Sequence, residues 1–434
     1  MIGQWNRFAR GAVARALQAM RGGQISVEDA LGTSLFGAPS DLHASCQVHR
    51  ERVYRRVLLG GTVALAESYI DGDWDCDDLT ALFRIAVRNL QATENLERSA
   101  WPATLARRVL HALRSNTRRG SRRNIANHYD LGNDFFRLWL DESWAYSCGF
   151  FATPEVSLHD ASLEKFDRVC RKLDLRSGDS ILEIGCGWGG FAVHAATNYG
   201  AQVTATTISP SQLQVARQRV EQSGLEDSVR LLASDYRDLA GSYDKLVSIE
   251  MIEAVGHRHL DGYFRQCGKL LRPDGSFVLQ AIVMPERRHR QYLQSVDFIQ
   301  RYVFPGGCLP SVASILESVG RTSDLRLVHA EDFAPHYAET LRRWRSSFER
   351  RLEQVREQGY SEAFIRLWRY YLSYCEAAFS ERAIGLMQLT FDKPGCRRDP
   401  ALLSTWASPP ESHECRPNAA AVAPQPAPFC ESRP

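Results

Sequence analysis

The stretch DSILEIGCGWGGFAVHAATNYG (179–200) constrains this chain more than any other. A short apolar strand, 179–185, runs into Gly185, Gly187, Gly189 and Gly190, and a helix over 189–200 follows, closed by Gly200. Glycine at such a turn lets backbone and ligand approach with no Cβ between them. The alternation continues downstream. AQVTATTIS (201–209) reads as a strand, PSQLQVARQRVEQSG (210–224) as a helix opened by Pro210 and ended by Gly224, and VRLLAS, KLVSIEM and GSFVLQAIV as further strands. Strands alternating with helices imply an α/β, doubly wound parallel sheet covered on both faces.

Gly185, Gly187 and Gly190 satisfy G-x-G-x-x-G, which suits a dinucleotide as well as S-adenosylmethionine (SAM). Glu183, two residues before the first glycine, is placed to bond a ligand ammonium. The second strand ends in Thr206-Thr207, without the acid that a nicotinamide cofactor's ribose takes. Ser234-Asp235-Tyr236 follows the third strand, where an acid can accept from an adenine amino group. These features favour SAM over a dinucleotide or a purely structural turn.

The 434 residues carry 53 Lys+Arg against 51 Asp+Glu, a near balance that argues against a general polyanion binder such as a nucleic-acid protein. No apolar run reaches the roughly 18–20 residues that span a bilayer. The Arg-rich start, MIGQWNRFARGAVARALQAM, lacks the continuous apolar stretch of a secretory signal. The eleven cysteines show neither CxxC spacing nor a Cys/His ligand cluster, which predicts a reduced cytoplasmic protein without a metal. Four regions are expected: a smaller, mostly helical N-terminal domain over 1–106, a basic linker over 107–123, a catalytic domain over 124–395, and a disordered tail over 396–434. Residues 335–395 read as a return to helix. The linker holds seven arginines, and the tail from Pro400 onward holds 8 of the 18 prolines.

The ordered stretches IANHYDLGNDFFRLWLDESWAYSCGFF (125–151), LEIGCGWGGFA (182–192), TISPSQL (207–213), SDYRDL (234–239), VSIEMIEAVGHRHLDGYF (247–264), DFIQRYVFPGGCLPS (297–311) and YYLSYCEAAFSERAIGLMQL (370–389) resemble the cyclopropane-fatty-acyl-phospholipid synthase family. YRRVLLGGTVALAESYIDGDWDCDDL (54–79) resembles that family's N-terminal domain, so the likeness runs over roughly 50–395. It implies a SAM-dependent enzyme acting on double bonds in the acyl chains of membrane phospholipids. It also implies peripheral contact with the inner face of the cytoplasmic membrane, and a homodimer. The implied cofactor contacts are Tyr146 and Ser147, the Gly185–Gly190 loop, Thr207, Ile208, Gln212, Asp235 and Tyr236.

An alkene is a poor nucleophile, so its methyl donor must be strongly electrophilic, as a sulfonium is. Attack on the π bond leaves a carbocation, and closing a three-membered ring requires a base to remove a proton from the added methyl. Water must be excluded, or it would trap the cation. By resemblance the base is a bound bicarbonate held by Cys148, Glu253, the backbone of Ile282, Tyr337 and a fifth residue. That fifth position is His in the family pattern and Gln280 here. An amide can donate to an anion but cannot shuttle a proton, so methylation without ring closure stands beside cyclopropanation. A non-catalytic lipid-binding relative is the reading from another class. A nucleic-acid or protein methyltransferase would need an acceptor motif that EMIEAVG is not.

Cys375 falls where the family's active-site cysteine has been assigned, although its apolar, helical neighbours suit packing. His128 reads as a structural or capping group, and Phe135, Phe136 and Trp139 as lining either the core or an acyl tunnel. The basic linker and LRRWRSSFERR (341–351), with five Arg beside Trp344 and Phe348, are the candidate membrane contacts.

Overall fold

The first ninety residues mix helix and strand. The computed structural model describes residues 2–90 and 132–398; the basic linker, His128 and the tail from 399 lie outside the described residues. Helix α1 (Ile2–Gln18) precedes strands β1 (Gln24–Asp29), β2 (Gly32–Gly37) and β3 (His43–Val48), then α2 (Arg52–Ile70), β4 (Trp74–Cys76) and α3 (Leu79–Arg88). The expected helices are present. The strands form a small sheet, β2-β1-β3-β4, that the sequence reading did not foresee. Its strands are short, and only alternate residues such as Ile25 and Val27 of β1 are buried. This module is not a separate body. Phe83 packs 4.6 Å from Tyr370 and Arg366 Nε donates to the Tyr69 carbonyl, so α2 and α3 share one core with the C-terminal helices.

The second sheet contains the expected doubly wound fold. It follows α4 (Leu158–Lys172) and comprises β5 (Ser180–Ile184), β6 (Gln202–Thr206), β7 (Val229–Leu232), β8 (Tyr243–Ile249), β9 (Leu271–Val283), β10 (Arg326–Asp332) and β11 (Gly385–Asp392). Helix α5 (Gly190–Tyr199) connects β5 to β6, α6 (Pro210–Gln222) connects β6 to β7, and α7 (Leu260–Leu270) connects β8 to β9, while β7 and β8 are joined through a short turn at Tyr236–Asp238. The order is β10-β11-β9-β8-β5-β6-β7. Neighbours among β5 to β9 are parallel, while β11 and β10 are added antiparallel at one side. The chain winds outward from β5 in one direction, then returns to lay β8 on its other side. Ligands bind at such a reversal, outside the carboxyl ends of the strands.

The return to helix over 335–395 needs correction at its end. Helices α8 (Ala334–Arg350) and α9 (Glu362–Ser380) are as expected, but Gly385–Asp392 is strand β11, inserted between β9 and β10. Nearly every residue of β11 is buried, so its sequence lacks the alternation that marks a half-exposed strand.

Candidate active site

The β5 carboxyl end opens into a cavity of about 750 Å³. Its wall includes Tyr146, Ser147, Glu183, Gly185, Gly187, Gly190, Thr207, Ile208, Gln212, Asp235 and Tyr236, which are the expected cofactor residues with one exception. Gly189 is off the wall. Its φ is +82°, and a Cβ there would sit 3.1 Å from Ala216 Cβ, so it serves the approach of α5 to α6. Gly190 faces the opposite constraint: a Cβ would lie 2.6 Å from the Ser143 carbonyl oxygen.

Local bonds fix this end of the cavity. Thr207 Oγ1 donates to Gln212 Oε1 at 3.0 Å, and Ser209 caps α6 by accepting from the Gln212 amide. Asp235 lines the cavity while its carboxylate accepts from Arg237 Nε and Nη2, both at 2.7 Å. Tyr146 and Tyr371 share a hydroxyl bond of 2.8 Å. Glu183 is buried, its Oε2 has no partner among the described residues, and burial pushes its pKa up to about 8. An orphaned carboxyl oxygen at the wall, beside glycines that leave room, fits a ligand carrying a cation or N–H donors. These residues therefore fit SAM.

The other end is built around a residue that the sequence reading passed over. Glu250, directly after β8, is half-buried and lines the cavity. Its backbone is left-handed, with φ +51°, a conformation that costs a non-glycine residue about 1–2 kcal/mol. Its Oε1 accepts from the Cys148 amide at 2.9 Å and from Gln280 Nε2 at 2.7 Å, and its Oε2 accepts from Tyr337 Oη at 2.5 Å. Burial raises its pKa, while the Tyr337, Cys148 and Gln280 bonds and the Lys165 charge pull it back. The available signal was its place: a carboxylate directly after a parallel strand, at the mouth of the sheet.

A buried chain of amides fixes the Gln280 orientation. Lys172 Nζ donates to Gln388 Oε1 at 2.6 Å, Gln388 Nε2 donates to Gln280 Oε1 at 2.8 Å, and Gln280 Nε2 then faces Glu250. An ammonium has donors only, so the direction of every bond in the chain follows from Lys172. Lys172 is itself anchored on Glu331.

The expected bicarbonate cluster is thus only partly assembled on the wall. Tyr337, Ile282 and Glu253 line the cavity, but Cys148 and Gln280 do not; they lie behind Glu250 and bond to it. The Cys148 contact is made by its backbone amide. Its thiol donates to the Gly149 carbonyl, and burial raises its pKa well above the ordinary range. Glu253 Oε1 accepts from the Ile282 amide at 2.6 Å, Oε2 is unpaired among the described residues, and burial followed by the Glu250 charge lifts its pKa to about 8. Because Glu250 already takes up three of the expected anion donors, these residues do not fit a bound bicarbonate.

Lys165 is a second residue missed from sequence. It is fully buried, donates to Ser147 Oγ at 2.6 Å, and has its pKa lowered by burial to about 8. Cys375 lines the cavity with a thiol that burial holds neutral, and among the described residues no base bonds to it. Phe135, Phe136 and Trp139 are core, not tunnel, since each is buried and none reaches the cavity wall. The membrane assignment of 341–351 is also corrected. Trp344 and Phe348 are wholly buried on the inner face of α8, while Arg342 and Arg343 pair with Glu339 and Arg345 pairs with Glu376. An amphipathic helix on the core places its aromatics inward, and sequence alone does not say which face is which.

A glycine loop at the switch point, an open buried carboxyl and a cavity over the strand ends define a SAM-dependent methyltransferase. Residues 116–389 match the model of the mycolic acid cyclopropane synthetase family, and the chain belongs to that family. It is 38% identical to the tuberculostearic acid methyltransferase UfaA1 of Mycobacterium tuberculosis, over 83% of this chain and 86% of that one. It is 35% identical to the cyclopropane-fatty-acyl-phospholipid synthase of Escherichia coli, over 90% and 94%. Among solved structures, the mycolic acid cyclopropane synthase CmaA1 complexed with SAH and CTAB superposes with a TM-score of 0.59 at 31% identity, covering 63% of this chain and 98% of that one. The fold and the family make this chain an enzyme, a SAM-dependent methyltransferase acting on lipid acyl chains. Among the described residues no helix is long and apolar enough to cross a membrane, and no cluster suits a metal ion.

Proposed function

We propose that the chain methylates the double bond of an unsaturated acyl chain in a membrane phospholipid, and that the resulting cation is resolved by loss of a proton from the added carbon. The observation that carries this reading is a single cavity whose wall holds the glycine loop, two half-buried carboxyls (Glu250 and Glu253) and an apolar surface including Val87, Leu90, Val296, Ile299, Phe304 and Phe379. SAM, when bound, supplies an electrophilic methyl. Glu183 and the glycine loop orient the donor. The apolar wall receives the acyl chain and excludes water, which would otherwise trap the cation. The Tyr146 and Phe304 rings at the wall offer π faces to a developing positive charge. Glu253, neutral below about pH 8, adds no second negative charge beside Glu250.

Ring closure to a cyclopropane is the first reading, supported by the extent of the match to the Escherichia coli synthase. Methylation without a ring is the second. It is favoured by Gln280 and by the relationship to UfaA1. Mass spectrometry of lipids from cells fed methyl-deuterated methionine tests both. A cyclopropane or methylene product keeps two of the three methyl deuteriums, and a saturated or internally unsaturated methyl branch keeps all three. No change in acyl mass would refute the reading.

For membrane contact, α1 replaces 341–351: Trp5 and Phe8 are more than half exposed and lie beside Arg7. Replacing both aromatics by Ala is expected to weaken sedimentation with anionic vesicles; unchanged sedimentation refutes this contact.

A further inference from the structure

We propose that Glu250 is the general base of the reaction, a carboxylate built into the chain where an anion from solution would otherwise be required. The inference rests on the acyl-methylation reading above. Three observations carry it. First, Glu250 stands between the cavity and the groups that hold it, with Cys148 and Gln280 behind it and Tyr337 beside it on the wall. Second, its three hydrogen-bond partners among the described residues, the Cys148 amide, Gln280 Nε2 and Tyr337 Oη, are all donors, and the Gln280 amide cannot be turned round, because Gln388 and Lys172 set its direction from the far end of the chain. A carboxyl met only by donors is held as the carboxylate. Third, the backbone at 250 is left-handed, so the fold keeps a side chain where glycine would be at ease. Burial raises its proton affinity, which suits a base more than an exposed carboxylate would.

The step balances without a further reactant. A C–H bond of the newly added carbon breaks and its proton passes to the Glu250 carboxylate. The freed electron pair forms a C–C bond to the cationic carbon, which closes the ring. If the cation has first moved by hydride shift to the methyl-bearing carbon, the same pair forms a C=C bond. Cys148, Gln280 and Tyr337 are positioning residues in this scheme, and Glu253 is the neutral neighbour.

The test uses the full chain, vesicles of dioleoyl phosphatidylglycerol and SAM, in buffer stripped of carbon dioxide or supplemented with bicarbonate. Wild-type turnover is expected to be the same in both. Glu250→Gln is expected to lose at least about 100-fold, the scale of a missing general base, with no recovery on adding bicarbonate. Glu250→Gly suits the backbone and vacates the carboxylate's place, so it is expected to lose as much and to recover with bicarbonate. Its binding of 13C-bicarbonate, read by NMR, should exceed that of the wild type. SAM affinity by calorimetry should stay within threefold in both variants, separating loss of the base from loss of the fold. A wild type that turns over only with bicarbonate, or a Glu250→Gln variant of near-normal rate, overturns the base assignment alone. A wild type that binds SAM yet methylates no lipid overturns the underlying reading, and this one with it.

Discussion

The two ends of the cavity are made in different ways. The donor end is mostly local: Glu183 and the glycines fall within eight residues, Thr207–Gln212 and Asp235–Tyr236 follow the next two strands, and only Tyr146 and Ser147 come from farther away. The proton end is assembled from four distant places, since Cys148, Glu250, Gln280 and Tyr337 meet only when the sheet closes and α8 packs onto it. A local site can be altered without disturbing the remote one. A distributed site fails gradually, according to how directly each member touches the carboxylate.

Gly190→Val probes the donor end most severely. Its Cβ would meet the Ser143 carbonyl at 2.6 Å. Overpacking of about 3 kcal/mol corresponds to a roughly 100-fold weaker Kd for SAM by calorimetry. An unchanged Kd would show that the loop is not the donor site.

Tyr337→Phe is the matching change at the other end. Losing a hydrogen bond to a charged group costs about 1.5–3 kcal/mol, or roughly 10–100-fold in kcat. SAM affinity should hold. Equal losses in both quantities would mean that the two ends are not separable.

Glu183→Gln is expected to weaken SAM roughly tenfold, the scale of one charge-assisted bond. The pH dependence sharpens this. With its pKa near 8, the Glu183 carboxyl is neutral below that pH and must lose a proton to receive a cation. Wild-type affinity therefore rises with pH up to about 8 and then levels, with proton release on binding; the variant should show neither. Calorimetry in buffers of different ionisation enthalpy reads both effects.

The smallest effect belongs to Cys148→Ala. The contact with Glu250 comes from the backbone amide, which the variant keeps. The rate should fall by no more than about threefold, since a buried neutral thiol acts mainly as a small apolar group. A loss near that of Tyr337→Phe would restore the thiol to the mechanism.

The same contrast explains what could be read from the chain. The sheet and donor end were legible because periodicity, glycine spacing and caps act within a few residues. Strand β11 was not, because burial on both faces erased its alternation. Trp344 beside arginines reads equally as a membrane anchor or as an inward face, and only packing on the core decides between them. Glu250 escaped because its meaning is not in its neighbours. It becomes a site only when a tyrosine 87 residues later and a glutamine 30 residues later turn toward it.

The Lys172–Gln388–Gln280 line also limits where hydrogen can go. Primary amides transmit direction but cannot accept a proton at one end and release it at the other, so the line is an insulator. Whatever Glu250 collects must leave on the cavity side, after product departs and solvent returns. Resetting the enzyme is thereby tied to emptying it, and turnover should slow in solvent deuterium oxide only where that reopening step limits the rate.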